Sequence, residues 1–203
     1  MAKHKIGAAV LLSAILIGNC AIISYNHKDD NKEEIEAHAV SETDAASYIP
    51  PASFSTKQYI EYEVPSGDTS FKSYMDYRAI TNTNSPQYKL QEEAYTDSDG
   101  LRIYGSMGYY MIALGSYYTD TVGDKFRITL DSGETFLAVV GDLKTDCHTD
   151  GTNRYYPMQN GMKNVVEFIV DTSELNKTAK KMGDISSIKK FEGKVSKIEK
   201  ILE

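Results

Sequence analysis

The sequence predicts a mainly β domain, a small β-barrel or sandwich with one short helix, preceded by an N-terminal transmembrane helix. Three observations predict it. Short runs of alternating polarity, broken by glycine-bearing turns, fill the chain from residue 57 onward. An uncharged apolar run occupies residues 6–25 behind a basic leader. A polar stretch with a Pro-Pro pair, residues 26–56, separates the two.

The leader "MAKHK" is followed by "IGAAVLLSAILIGNCAIISY", which as a helix spans ~30 Å, the thickness of a bilayer core. Lys3 and Lys5 on one side and "NHKDDNKEEIE" on the other put the N-terminus inside and the remainder outside. Three readings of this segment stay open. A cleaved signal usually has a shorter apolar core and a small-residue cut site. A lipoprotein signal places a small residue before the lipidated cysteine, whereas here Asn19 precedes Cys20. An uncleaved signal anchor is the preferred reading, giving a single-pass cell-membrane protein with its C-terminal domain extracellular. The tether at residues 26–56 has no sustained apolar period and is expected to be disordered. Extended at ~3.5 Å per residue, it carries a domain up to ~100 Å from the membrane, a wall-spanning distance.

The net charge is −7, and the lysines ahead of the apolar run leave the rest more acidic still. That excludes nucleic acid as a partner, which needs a basic face, and docking on anionic lipid through a basic patch. Of the two cysteines only Cys147 lies in the exported part, so no internal disulfide and no Cys-pair metal site is expected, and no cofactor. A Gram-positive envelope suits such a chain.

The elements follow in order. "KQYIEYEV" alternates and ends at "PSGD". "FKSYMDYRAI", with Asp76 and Arg78 between aromatics, is expected to wall a groove. "FRITL" turns at "DSGE" into "TFLAVVGD". "NVVEFIVD" is the strongest strand, bounded by "QNG" and "TSELN". Residues 172–183 read as one short helix, with Thr172 or Ser173 as N-cap and Gly183 as stop. The tail "KKFEGKVSKIEKILE" reads as a closing strand.

From "IALGS" through "VGDKFRITLDSGETFLAVVGD" to "NVVEFIVD", about residues 100–172, the order of pieces resembles the three-aspartate-domain, double-psi β-barrel cell-wall proteins, a group that includes the barrel of lytic transglycosylases. The resemblance implies a small six-stranded double-psi β-barrel acting on peptidoglycan. It places Asp142 at the family's corner aspartate and Glu167 at its strand acid. Three departures stand out. "GYYMIALGS" lacks the family's first aspartate, Glu replaces Asp on the strand, and "LKTDCHTDGTNRYYPMQNGMKN" lengthens the span between them.

Lytic transglycosylation needs one acid used twice, with a pKa raised by burial. Glu167 shares a strand face with Val165 and Ile169, which makes it the candidate acid or else an exposed residue on an edge strand. Asp142, after Gly141, supports the acid, caps a turn, or does both. Asp146, His148 and Asp150 suit sugar hydroxyls as a substrate loop, or form a solvated loop. They are too few for a zinc site, so no metal is expected. The chain has 15 tyrosines and no tryptophan, and outward members of pairs such as Tyr117–Tyr118 offer faces for sugars. Two functions compete: glycan cleavage with Glu167 as acid, and a non-catalytic carbohydrate- or protein-binding module on the same barrel.

Overall fold

The structure, a computed structural model, describes residues 58–202 and the two-residue strand Lys5–Ile6 (β1). Apart from Ile6, the expected anchor and the expected tether lie outside the described residues. Among the described residues no helix is long and apolar enough to cross a membrane.

The remaining strands are β2 (Gln58–Tyr62), β3 (Ser73–Asp76), β4 (Ala94–Thr96), β5 (Arg102–Tyr104), β6 (Tyr109–Gly115), β7 (Lys125–Leu130), β8 (Thr135–Lys144), β9 (Tyr156–Pro157), β10 (Lys163–Asn164), β11 (Glu167–Val170) and β12 (Val195–Leu202). The fold is mainly β, as its alternating runs predict. Strands β1, β2, β12, β7, β8, β6, β11 and β3 hydrogen-bond in that order. The β4–β5 hairpin joins β6 at Tyr109 and Tyr110, leaving Ile112 and Ala113 to β11. β9 and β10 form a separate ladder.

The expected closed six-stranded barrel is not what these strands build. Ten strands share one sheet, and its two ends, β1 and β3, do not pair with each other. The additional strands come from short segments whose alternation is too brief to read locally, β3 within "FKSYMDYRAI" and the β4–β5 pair around "DSDG". Two strands are interposed between others. β8 runs antiparallel to β7 and parallel to β6, and β11 runs antiparallel to β6 and parallel to β3.

Period-2 alternation sorts side chains onto two faces of this sheet. Phe126, Ile128, Leu130, Ile112, Leu114, Val140, Phe168 and Val170 enter the larger core. Tyr109, Met111, Val139 and Ile169 form a smaller one on the other face. Phe136, Phe168, Phe191 and Tyr110 interlock at the larger core's centre, with ring centroids from 4.8 to 6.2 Å apart. Burying each such ring contributes about 1.5–3 kcal/mol.

Two α-helices, rather than the single one expected, flank the sheet. In α1 (Pro86–Glu92) the Ser85 hydroxyl accepts from Tyr88 N at 3.1 Å, and Pro86 stands at the first position, where its missing N–H costs nothing. In α2 (Lys177–Met182) Gly183 ends the helix at φ 68° as expected, but Asn176 is the cap. Thr172 and Ser173 are unavailable because their hydroxyls donate to Asp76 and Asp171.

Candidate functional site

Strand register places four residues in one row across the sheet. Ser73 is opposite Glu167, Glu167 opposite Ala113, and Ala113 opposite Asp142. Directly opposed residues share a face, so both acids rise on the same side with only the Ala113 methyl between them. At the usual inter-strand spacing their Cα atoms stand about 10 Å apart.

A β-bulge makes this possible. Ile112 pairs with Val140, but Ala113 pairs with Asp142, so Gly141 is the extra residue. Without it, alternation would turn Asp142 into the larger core. With it, Asp142 is re-aimed to the face of Glu167. Gly141 fits there because a Cβ would lie 2.7 Å from Ile169 Cδ1 and 2.9 Å from Met111 Cε.

A cleft of about 450 Å³ opens over this row. Asp142, Lys144 and His148 line one side, and Ser73, Asn164 and Glu167 the other. Phe71 and the exposed Tyr156 and half-buried Met158 supply apolar surface at its edges. The apolar rung beneath, formed by Met75, Ile169, Met111 and Val139, seats the row on the smaller core.

Hydrogen bonds order the Glu167 side. Buried Asn164 donates through Nδ2 to Ser73 Oγ at 2.6 Å and accepts Ser73 N at its Oδ1 at 3.2 Å. Ser73 Oγ in turn donates to Glu167 Oε1 at 3.0 Å. Lys144 Nζ donates to Asn164 O at 3.1 Å. Burial pushes the Lys144 ammonium down to about 8, with the Glu167 charge acting in the opposite direction. Gln87 of α1 approaches Asp142 Oδ1 at 3.5 Å, a contact at the outer limit of a hydrogen bond.

The structure thus brings Glu167, Asp142 and His148 into one cleft, and it leaves Asp146, Asp150 and Tyr117 outside it. Asp150 is the hub of its own loop. It accepts from Thr152 N at 3.0 Å, Arg154 N at 2.9 Å and Tyr155 N at 3.2 Å, and from the Thr152 hydroxyl. These bonds hold its carboxyl below the usual range against the opposing pull of burial. Asp146 accepts from Ser116 Oγ at 2.6 Å, tying the loop to the end of β6. Tyr117 packs edge-on against Tyr62 and Tyr118 at 6.0 and 5.1 Å, beneath the Arg154 guanidinium. Asp76 and Arg78 also have a structural role: the Arg78 guanidinium donates twice to Asp76, at 2.7 Å each, and its backbone N–H once, at 2.9 Å. The groove wall that this segment provides is Phe71 and Ser73 instead.

Sequence reasoning missed Lys144, Ser73 and Asn164. Lys144 carried a readable signal, since it lies two residues beyond Asp142 on the same strand and shares its face. Ser73 carried none, because only long-range pairing of β3 with β11 brings it to Glu167 and Asn164. Among the described residues no group of three or more His, Cys, Asp or Glu side chains converges as a metal site. Cys147 is exposed and has no cysteine partner among the described residues. Compared with known proteins, the chain matches no family model, no curated protein and no solved structure.

Proposed function

We propose that this chain is a membrane-anchored cell-envelope protein whose cleft takes a peptidoglycan glycan strand and cleaves it in the manner of a lytic transglycosylase. The observation that carries the reading is the Gly141 bulge, which sets Asp142 in register with Glu167 across Ala113 at the floor of an open cleft. Bulges that re-aim a polar side chain beside a cavity are common at functional sites. The two interposed strands, β8 and β11, support kinship with double-psi connectivity, although the sheet is open.

In this reaction Glu167 protonates the glycosidic oxygen as the C1–O4 bond breaks. The resulting carboxylate then takes the proton of the sugar's own 6-hydroxyl as that oxygen attacks C1, so no water is consumed. Asp142, on the opposite side of the row, stabilises the positive charge that develops at the ring. His148 and Tyr156 contact the sugars on either side. The test is mass spectrometry of peptidoglycan incubated with the full chain. Fragments ending in 1,6-anhydro-MurNAc are expected, falling at least about 100-fold with Glu167→Gln. Unchanged cleavage by that variant refutes Glu167 as the acid.

One observation favours a second reading, a binding module without turnover. Ser73 Oγ donates to Glu167 Oε1, which ties up an oxygen that a proton donor would turn to its substrate. On this reading the chain sediments with intact wall and releases no fragments.

A further inference from the structure

The charges that line the cleft do not cancel. Its titratable groups are Asp142, Lys144, His148, Tyr156 and Glu167, so two carboxylates face one ammonium. That ammonium belongs with Glu167. Lys144 Nζ crosses the cleft to donate to Asn164 O, on the wall where Asn164 and Ser73 order the Glu167 side chain, and the Glu167 charge acts on it. Asp142 is left without a cation. It is half-buried, it forms no ion pair among the described residues, and its one hydrogen-bonding approach there is Gln87 Nε2 at 3.5 Å. The Gly141 bulge turns this carboxylate out of the core and onto the cleft lining. A half-buried anion with open acceptor sites is completed by a cation that also donates hydrogen bonds. A divalent metal ion needs several oxygen ligands, and among the described residues no group of three acids or histidines converges. An ammonium, with three N–H donors, suits a single carboxylate.

We infer that Asp142 binds an ammonium group and that the glycan taken by this cleft is partly de-N-acetylated, with a free 2-amino group on the sugar beside Asp142. The inference rests on the glycan reading above and narrows its substrate class. An N-acetyl group is a neutral amide and offers Asp142 no charge. The free amine is mostly protonated at neutral pH, as amines of this kind are, and brings both the charge and the donors. Lys144 sharpens the choice of position, since it repels an ammonium from the Glu167 wall and leaves the Asp142 wall as the place that holds one. The reaction class that supplies such a substrate is hydrolysis of the N-acetyl amide, which adds water, releases acetate and leaves the ammonium on the sugar.

The test is calorimetric binding to the full chain at pH 6.5 with five tetrasaccharides: chitotetraose and the four isomers of it that each lack one N-acetyl group. At least one isomer is expected to bind roughly tenfold tighter than chitotetraose, the usual difference for one charge-assisted hydrogen bond. Asp142→Asn, which keeps the shape of the side chain and removes its charge, is expected to bind all five alike. Lys144→Gln is expected to widen the preference, because Glu167 then faces the ligand without its cation. Equal wild-type affinity for all five overturns the inference while the glycan reading stands, and needs no variant to fold. A preference that survives in Asp142→Asn, or one that shrinks in Lys144→Gln, overturns it as well. Failure of all five saccharides to bind removes the glycan reading and this inference with it.

Discussion

Asp142 and Asp150 have the same side chain and sit in the same stretch, "GDLKTDCHTDG", but their surroundings set them to different tasks. Asp150 faces three backbone N–H groups of its own loop, so its oxygens are occupied in holding residues 150–155. Asp142 faces open space and accepts at most one long bond, from Gln87. The loop acids looked alike as candidates because residue type reports chemistry and not the direction of a side chain. Asp150→Ala removes the hub and is expected to cost about 1–2 kcal/mol, seen as a lower urea midpoint. An unchanged midpoint, or ligand affinity lost with full stability, would return Asp150 to the binding surface.

At the scale of elements, the β6–β8 pair builds the cleft through two glycines with different neighbours. Gly115 lies under the loop: a Cβ there would sit 2.1 Å from the backbone oxygen of Asn153, a residue whose N–H donates to Asp150 O. Gly141 would instead press a Cβ against the side-chain ends of Ile169 and Met111, which can swing away. Gly115→Ala is therefore expected to lift the loop and cost about 2–3 kcal/mol, against about 1 kcal/mol for Gly141→Ala. Thermal unfolding ranks the two, and protease cutting within residues 145–155 should rise for Gly115→Ala alone. The reverse ranking would mean that the bulge, and not the loop, is the rigid part. Bulge and loop were both hidden in the sequence, where "VVGD" reads equally well as a strand end and a turn.

For the whole molecule, charge placement predicts how stability varies with pH. Asp76, Asp99, Asp150, Asp171 and Glu199 are all held below the usual carboxylate range. The main stabilising partners are Arg78 for Asp76, Lys190 for Asp99, backbone and hydroxyl donors for Asp150 and Asp171, and Arg127 for Glu199. Their lowered folded-state values mean that this stability is fully present above about pH 4 and is lost as pH falls further. At the alkaline end lowered folded-state values again make stability rise with pH, there by relieving the cost of burying a charge. Lys72 is fully buried, donating to Ser70 O at 2.8 Å and Gly193 O at 2.7 Å, and burial lowers both Lys72 and Lys144 to about 8. The unfolded chain therefore holds more protons between pH 8 and 10, and stability is expected to climb through that window. Urea titrations at pH 3, 7, 8 and 9.5 check both limbs. A flat profile from 8 to 9.5 would mean that neither lysine is desolvated in solution.

The mainly β character and the strands of "FRITL", "TFLAVVGD" and "NVVEFIVD" were legible in the sequence because alternation is a local property, decided by neighbours two residues apart. So was the shared strand face of Glu167 and Ile169. Glu167 and Asp142 were singled out by resemblance alone. Only the tertiary structure decided that they share a cleft, since that depends on a parallel β6–β8 register and one bulged glycine, neither of which leaves a periodic trace. It likewise joined Ser73 to both Glu167 and Asn164 across more than ninety residues of chain. Contacts of that kind arise from the order in which strands pack, and the sheet's open path was set in the same way.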